Sequence, residues 1–279
     1  MLPSRSTGAV GSTCGAAATR RPALRSVRGD VALRLAASLC TALVAPGVSA
    51  DPSNLESGLP AEIADARTLD RGERQVQLQT RLDRERGGDR ALLVEPQFQV
   101  GFTERWQGTI GLRGAFGSAD RVGSGDVRAQ LMHRLTDERG ARPALAASVQ
   151  ADLPTGTRSS GVDTELRLIA TRSIGTRSGG PQAHANLGWL HNASPAPDER
   201  ADRLRAILGW STSLDPRTAI VADLVREQQR TRGATASIAE LGMRREMWRA
   251  AMLSVGAGVG RGGESAPRWR LVAGFEQGF

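Results

Sequence analysis

Arg74-Gln75-Val76-Gln77-Leu78-Gln79-Thr80-Arg81-Leu82-Asp83 sets an apolar side chain or Thr at every second position from Val76 to Leu82, with Gln, Arg or Asp between and after them. A β-strand turns successive side chains to opposite faces. Val76, Leu78, Thr80 and Leu82 therefore share one face, and Gln75, Gln77, Gln79 and Arg81 share the other. Eleven later segments repeat the pattern: 91–101, 106–116, 126–135, 144–153, 163–171, 182–190, 203–214, 218–225, 234–244, 249–260 and 269–279. In 144–153, Leu145, Ala147, Val149 and Ala151 oppose Ser148, Gln150 and Asp152; in 163–171, Thr164, Leu166, Leu168 and Ala170 oppose Asp163, Glu165 and Arg167. Within these limits no Asp, Glu or Arg falls mid-segment on an apolar face. An Arg on a lipid face costs about 2–4 kcal/mol at the bilayer midplane, so the charges are expected to face a wet interior.

A soluble sandwich alternates too, but its core face needs large side chains that interdigitate. Here the apolar face is rich in Ala, Gly and Thr, which suits lipid better than a dense core. The expected fold is all-β: a transmembrane, antiparallel, up-and-down β-barrel of twelve strands over residues 74–279. Connectors agree. With both ends in the periplasm, the outer loops are 84–90, 117–125, 154–162, 191–202, 226–233 and 261–268. The periplasmic connections include the tight turn Asp215-Pro216-Arg217 but also the longer 172–181. Trp106, Phe116, Trp189, Trp210, Trp269 and Phe279 stand near segment ends, where interfacial aromatic girdles belong. Phe279, a terminal aromatic closing an alternating strand, resembles the assembly signal read by the outer-membrane insertion machinery.

Residues 1–50 read as a cleaved export signal: Arg-rich up to Arg34, apolar from Leu35 to Ala45, and ending in Val48-Ser49-Ala50 before Asp51. A twin-arginine reading of Arg20-Arg21 meets the ill-fitting Pro22 and Ala23. A lipoprotein reading of Cys40 meets the large Leu39. This stretch holds six arginines against Asp30 alone, and both cysteines, Cys14 and Cys40. The remaining 31 arginines face 28 acids, so the high overall basicity belongs mostly to the leader. That argues against a nucleic-acid binder, a disulfide scaffold and a Cys-ligated metal site. Expected partners are outer-membrane lipid, the insertion machinery and a small-molecule solute, with no cofactor.

The chain also resembles the outer-membrane channel proteins associated with the meta-cleavage pathway of phenol degradation. The resemblance is carried by Ala64-Asp65-Ala66-Arg67-Thr68-Leu69 leading to Gly72 and Gln75-Val76, and by Glu95-Pro96-Gln97-Phe98-Gln99-Val100-Gly101-Phe102-Thr103-Glu104-Arg105. Gly123-Ser124-Gly125-Asp126-Val127, Pro143-Ala144-Leu145-Ala146, Leu153-Pro154-Thr155-Gly156, Ala183-His184-Ala185-Asn186-Leu187-Gly188-Trp189 and Arg268-Trp269-Arg270-Leu271 through Phe279 follow in order. The absence of Tyr and the use of Arg for Lys depart from the family. The resemblance implies a barrel that passes small hydrophobic or aromatic compounds, and it brings no defined substrate-contact residue.

Candidate lumen residues are Glu95, Arg128, Arg134, Asp163, Glu165, Arg167, Arg203, Arg205, Asp223, Glu240 and Arg270, all on polar faces. They can pair across strands and fill a narrow lumen, or form a constriction that selects by charge. Residues 51–73 are expected to be a short periplasmic segment, with a helix over Pro60–Leu69 that either plugs the lumen or serves as a tether or part of its wall. His133, His184 and His191 show no nucleophile–base pairing along the chain and no metal-ligand spacing. Gly256, Gly258 and Gly260 alternate on a strand, relieving crowding inside the barrel. The expected function is passage of small, hydrophobic or aromatic solutes; a closed structural or adhesive barrel and a lipid-modifying enzyme are the rivals.

Overall fold

The computed structural model describes residues 51–118, 125–157, 160–175, 179–248 and 250–279. The leader, with Cys14 and Cys40, and Gly123-Ser124 lie outside the described residues. Twelve strands follow one another: β1 Arg74–Glu85, β2 Arg90–Thr103, β3 Trp106–Gly117, β4 Asp126–Thr136, β5 Ala144–Leu153, β6 Asp163–Ser173, β7 Gln182–His191, β8 Asp202–Asp215, β9 Thr218–Gln228, β10 Thr235–Trp248, β11 Ala251–Gly262 and β12 Pro267–Gly278. Each pairs antiparallel with its neighbours, and β1 closes on β12 from Gln75↔Gly278 to Arg84↔Trp269. Mutual backbone bonds between Arg74 and Phe279 extend that seam by one residue, and the Phe279 ring packs 6.3 Å from Phe98. A closed barrel leaves no unpaired strand edge, which is what a spanning sheet requires in hydrocarbon.

The faces follow the sequence pattern. Leu168 and Leu208 on the outside are 58% and 64% exposed, whereas Ser148 and Glu165 on the inside are 7% and 8% exposed. Among the described residues no helix is long and apolar enough to cross a membrane. Trp106, Phe102, Trp248 and Phe275 ring the end that carries both barrel termini, and Phe116, Trp189 and Trp269 ring the loop end. On the outside His133 stacks on Trp106 at 4.1 Å.

Two expectations change. Strands β1, β2, β6, β9, β10 and β11 run two to four residues past the sequence boundaries, so residues 84–85, 102–103, 172–173, 226–228, 245–248 and 261–262 are strand rather than loop. The stretch before β1 is not helical, and of the three roles left open for it, plug, tether or part of the lumen wall, its course is that of the wall. Residues 54–70 lie against the inner wall, and Leu55, Leu59, Ile63, Ala66 and Leu69 are all buried there. A helix over 60–69 loses because its N–H groups find acceptors on barrel side chains instead of on the preceding turn.

The facing assignment predicts a simple contrast. Val149→Arg and Leu168→Arg should each cost about 2–4 kcal/mol at mid-membrane depth and deplete folded barrel, whereas Gln150→Arg should assemble normally. The fraction showing heat-shifted electrophoretic mobility in membranes measures this; equal folding of all three would contradict the assignment.

Candidate functional site: a girdled, charge-lined lumen

The inner wall is polar at most inward positions but carries an apolar bed. Ile207, Val221, Val225 and Ile238 cluster with Leu55, Ala61 and Ile63, and Met132, Ala146 and Ile169 cluster with Ala64 and Ala66. These wall residues sit at the inward phase of their strands, where solvent-facing side chains would otherwise be expected. Residues 54–70 cover them and form a strap.

The strap travels round the perimeter against the strand order. Gly58 meets β1 through Gln79, Leu59 meets Gly274 of β12, and Pro60 meets Gly256 of β11 and Gly242 of β10. A Cβ at Gly242 would fall 2.5 Å from Pro60 Cβ, and one at Gly209 of β8 would fall 2.7 Å from Ile63 Cγ1, so the close approach requires glycine. The backbone then takes one barrel acceptor after another. Glu62 N donates to Glu240 Oε2 (3.0 Å), Ile63 N to Asp223 Oδ2 (2.9 Å), Ala64 N to Asn186 Oδ1 (2.9 Å), Ala66 N to Thr171 Oγ1 (3.0 Å) and Leu69 N to Gln107 Oε1 (2.9 Å). Asn186 Nδ2 returns a bond to the Ala64 carbonyl at 2.9 Å. Those acceptors come from β10, β9, β7, β6 and β3, a near-complete circuit.

Glu62 is the point where strap and barrel charges meet. Its carboxylate lies 2.8 Å from Arg81 and 3.0 Å from Arg270, with Arg205 at 4.0 Å. Burial alone would raise its pKa, but Arg270, Arg81 and Arg205 outweigh that and hold the group well below the usual carboxylate range. From Glu62 the pairs spread outward. Arg270 also binds Asp83 (2.7 Å) and Glu240 (3.0 Å), and Arg205 binds Glu227 (3.0 Å). On the opposite wall Arg128 bridges Glu95 (3.0 Å) and Asp152 (2.7 Å), with Arg113 at 3.5 and 3.8 Å from the same two acids. Arg167 pairs with Glu165 at 2.6 Å. Between these walls lies a cavity of about 370 Å³, lined from strap residues such as Glu56 to rim residues such as Arg230. That volume lies within the span of small-molecule sites, about 300–1,000 Å³.

Nearer the terminus-bearing end, Glu56 accepts from Gln77 and Gln99, and Arg244 binds both Glu276 and the Asn54 carbonyl. Burial, reinforced by Glu276, raises the Glu56 pKa to about 7.

No family profile and no curated protein sequence matches the chain. Solved structures do. An outer-membrane channel from Pseudomonas putida F1 is similar with a TM-score of 0.58 and 16% identity, covering 77% of this chain and 98% of that one. The NanC porin is similar at 0.54 and 9% identity, covering 73% and 98%. The fold is that of outer-membrane channels.

Within this channel fold the sequence-predicted charges divide into groups. Glu95, Arg128, Glu165, Arg167, Arg203 and Arg205 line the cavity. Asp163 also lines it and holds Arg230 at 3.1 Å near the loop end. Asp223 and Glu240 are turned to the strap backbone, and Arg270 clamps Glu62 while still reaching the cavity wall. Arg134 departs from the expectation: it donates to the Glu104 carbonyl at 2.6 Å and approaches Asp137 at 3.4 Å beside a turn, away from the belt. Its strand position brings the long side chain to the terminus-bearing end. Arg81, Asp83, Arg113 and Asp152 join the belt without having been singled out, although inward parity marks each; Glu227 joins it from beyond the expected end of β9. Glu62 had no such signal.

Among the histidines, His184 is buried with Nδ1 3.1 Å from Thr171 Oγ1 and Nε2 2.9 Å from Ser211 Oγ. The fold thus supplies hydroxyl neighbours that the sequence did not show. Thr171 also receives the Ala66 amide, so this trio is part of the strap's seat. His191 pairs with Asp202 at 2.9 Å near the loop end.

Two tests address the strap. Asn186→Ala should destabilise the barrel by about 1–3 kcal/mol, because it leaves a buried amide and carbonyl unpaired; denaturant unfolding measures it. The raised pKa of Glu56 means that its ionised form opposes docking. That penalty is full above pH 7 and fades as pH falls toward the ordinary value of 4.5. Hydrogen-exchange protection factors across residues 54–58 should therefore be higher at pH 5 than at pH 8, and Glu56→Gln should flatten the difference.

Proposed function

We propose that the chain is a channel of the bacterial outer membrane for passive or facilitated passage of small solutes. The observation that carries this reading is the course of the strap. It follows the perimeter, leaving the central space to a polar cavity lined from the strap to the loop end. The resemblance to phenol-degradation channels points further, to small hydrophobic or aromatic solutes. An arene bearing a hydroxyl or carboxylate suits this wall better than a bare hydrocarbon. Arg113 is only loosely held by its acids, and no described carboxylate lies within ion-pair distance of Arg203. Both can offer N–H donors to a passing acceptor.

The lumen also supports a competing reading, because dense ion pairing and a strap could close a structural barrel. Planar-bilayer recording distinguishes the two. The mature chain should show small unitary conductance, deletion of residues 51–69 should increase it, and Arg113→Gln with Arg203→Gln should shift the reversal potential toward cation preference. Absence of conductance and of liposome flux for every small solute would leave the closed barrel.

A further inference from the structure

The loop-end extension of β9 and β11 places two arginines on the outside of the barrel. Arg226, Ser237 and Arg261 are register partners across β9, β10 and β11, with Ala206 of β8 completing the row beside Arg226. Two residues toward the membrane centre, Leu208, Leu224, Ala239 and Val259 form a parallel row on the same four strands. Below that row stand Trp210, Ala222, Leu241 and Ala257. The outward surface therefore passes from a cationic, hydroxyl-bearing row to an apolar field, and the small side chains Ala206, Ser237 and Ala239 hollow it. The resulting external groove holds about 640 Å³. Arg86, from the β1–β2 connection, reaches over β12 to its edge and donates to the Gly260 carbonyl at 3.3 Å.

No carboxylate pairs with Arg86, Arg226 or Arg261 among the described residues. Arg226 spends one nitrogen on Ser237 Oγ at 2.6 Å, leaving other donors of its fork free for an anion. Cations above exposed leucines match a lipid whose phosphate lies above its acyl chains. Arg226 and Arg261 stand on strands two spacings apart, about 10 Å at the usual inter-strand distance. Two separated cations suit a headgroup with two phosphates, whereas a single phosphate would engage one at a time. The four-strand width beneath them suits several acyl chains rather than one.

We infer that this groove binds a bisphosphorylated, multiply acylated glycolipid of the outer leaflet, with Arg226 and Arg261 on its phosphates, Arg86 at the rim, and acyl chains over Leu208, Leu224, Ala239 and Val259. The site is independent of what passes through the lumen.

Native mass spectrometry of the detergent-solubilised mature barrel, titrated with bisphosphorylated lipid A, tests the assignment. The comparison ligands are dephosphorylated lipid A, phosphatidylglycerol and inorganic pyrophosphate. Wild-type protein should bind the bisphosphorylated lipid about tenfold or more tightly than each of the other three, as expected for paired charge-assisted contacts. Arg226→Gln with Arg261→Gln should remove that preference, while Arg217→Gln, on a turn at the opposite end, should retain it. Heat-shifted mobility verifies that each variant is folded. The wild-type comparison needs no variant and stands if the double variant does not fold. Equal affinity for the dephosphorylated lipid or for phosphatidylglycerol would overturn the assignment. So would pyrophosphate bound as tightly as the lipid, or unchanged lipid binding by a folded double variant.

Discussion

The strap's backbone can lie inside the barrel only because its buried N–H groups find acceptors, five of them on the wall and others within the strap itself, as Leu55 N does on Asp65 Oδ2. A buried amide without a partner costs about 1–3 kcal/mol, and five such amides would make the docked path untenable. Glu240, Asp223, Asn186, Thr171 and Gln107 each project inward at the height where one of them arrives. Between these anchors the apolar bed of Ile207, Val221, Ile238 and Met132 takes the strap's own Ile63, Ala61 and Ala64. The strap is thus a second, inner layer, one residue deep, built with both kinds of contact that stabilise a soluble core.

The charge belts follow from that layer. A twelve-stranded wall with several arginines pointing inward carries strong repulsion unless acids stand between them. Most of those acids come from the barrel's own strands, as Glu95 of β2 and Asp152 of β5 do for Arg128 of β4. Glu62 comes from the strap, and it serves Arg81, Arg270 and the more distant Arg205 at once. Its removal would leave those cations facing one another across the seam between β1 and β12 and toward β8. Docking of the strap and charge balance of the wall are therefore one problem. Glu56 adds a second hold with the opposite electrostatic sense, since it sits beside the acid Glu276. Glu62 is held by opposite charge, while Glu56 ionises only against a like charge.

Alternation exposed the strands because both media impose a period of two: hydrocarbon forbids charge outside, and the wet lumen tolerates it inside. The strap was not legible in that way. Its residues carry no periodic pattern, and Pro60 followed by a mixed run reads as a helix start when no tertiary acceptor is in view. A trace of it was nonetheless present. Met132, Ile169, Ile207, Val221 and Ile238 break the polar face of their own strands, and an apolar side chain at the inward phase of a pore needs something to cover it. The belt was half legible for a related reason. Parity gives direction but not height, so Arg134 shared the phase of Arg128 while lying at the other end of the same strand.

Strand length was the remaining weakness, and its consequences reach the outside of the barrel. Ending β9 at Val225 turns Glu227 and Arg226 into loop residues with no facing at all. Carried on to Gln228, the same strand sends Glu227 inward to Arg205 and Arg226 outward beside Ser237. A charge next to a strand end looks like a stop signal because it is unwelcome at the bilayer centre. Near the interface that penalty falls to about 0–1 kcal/mol, and hydrogen-bonded pairing continues past it. Boundaries drawn at the first outward arginine are therefore systematically short, and the residues they discard are those positioned to meet the polar part of a lipid.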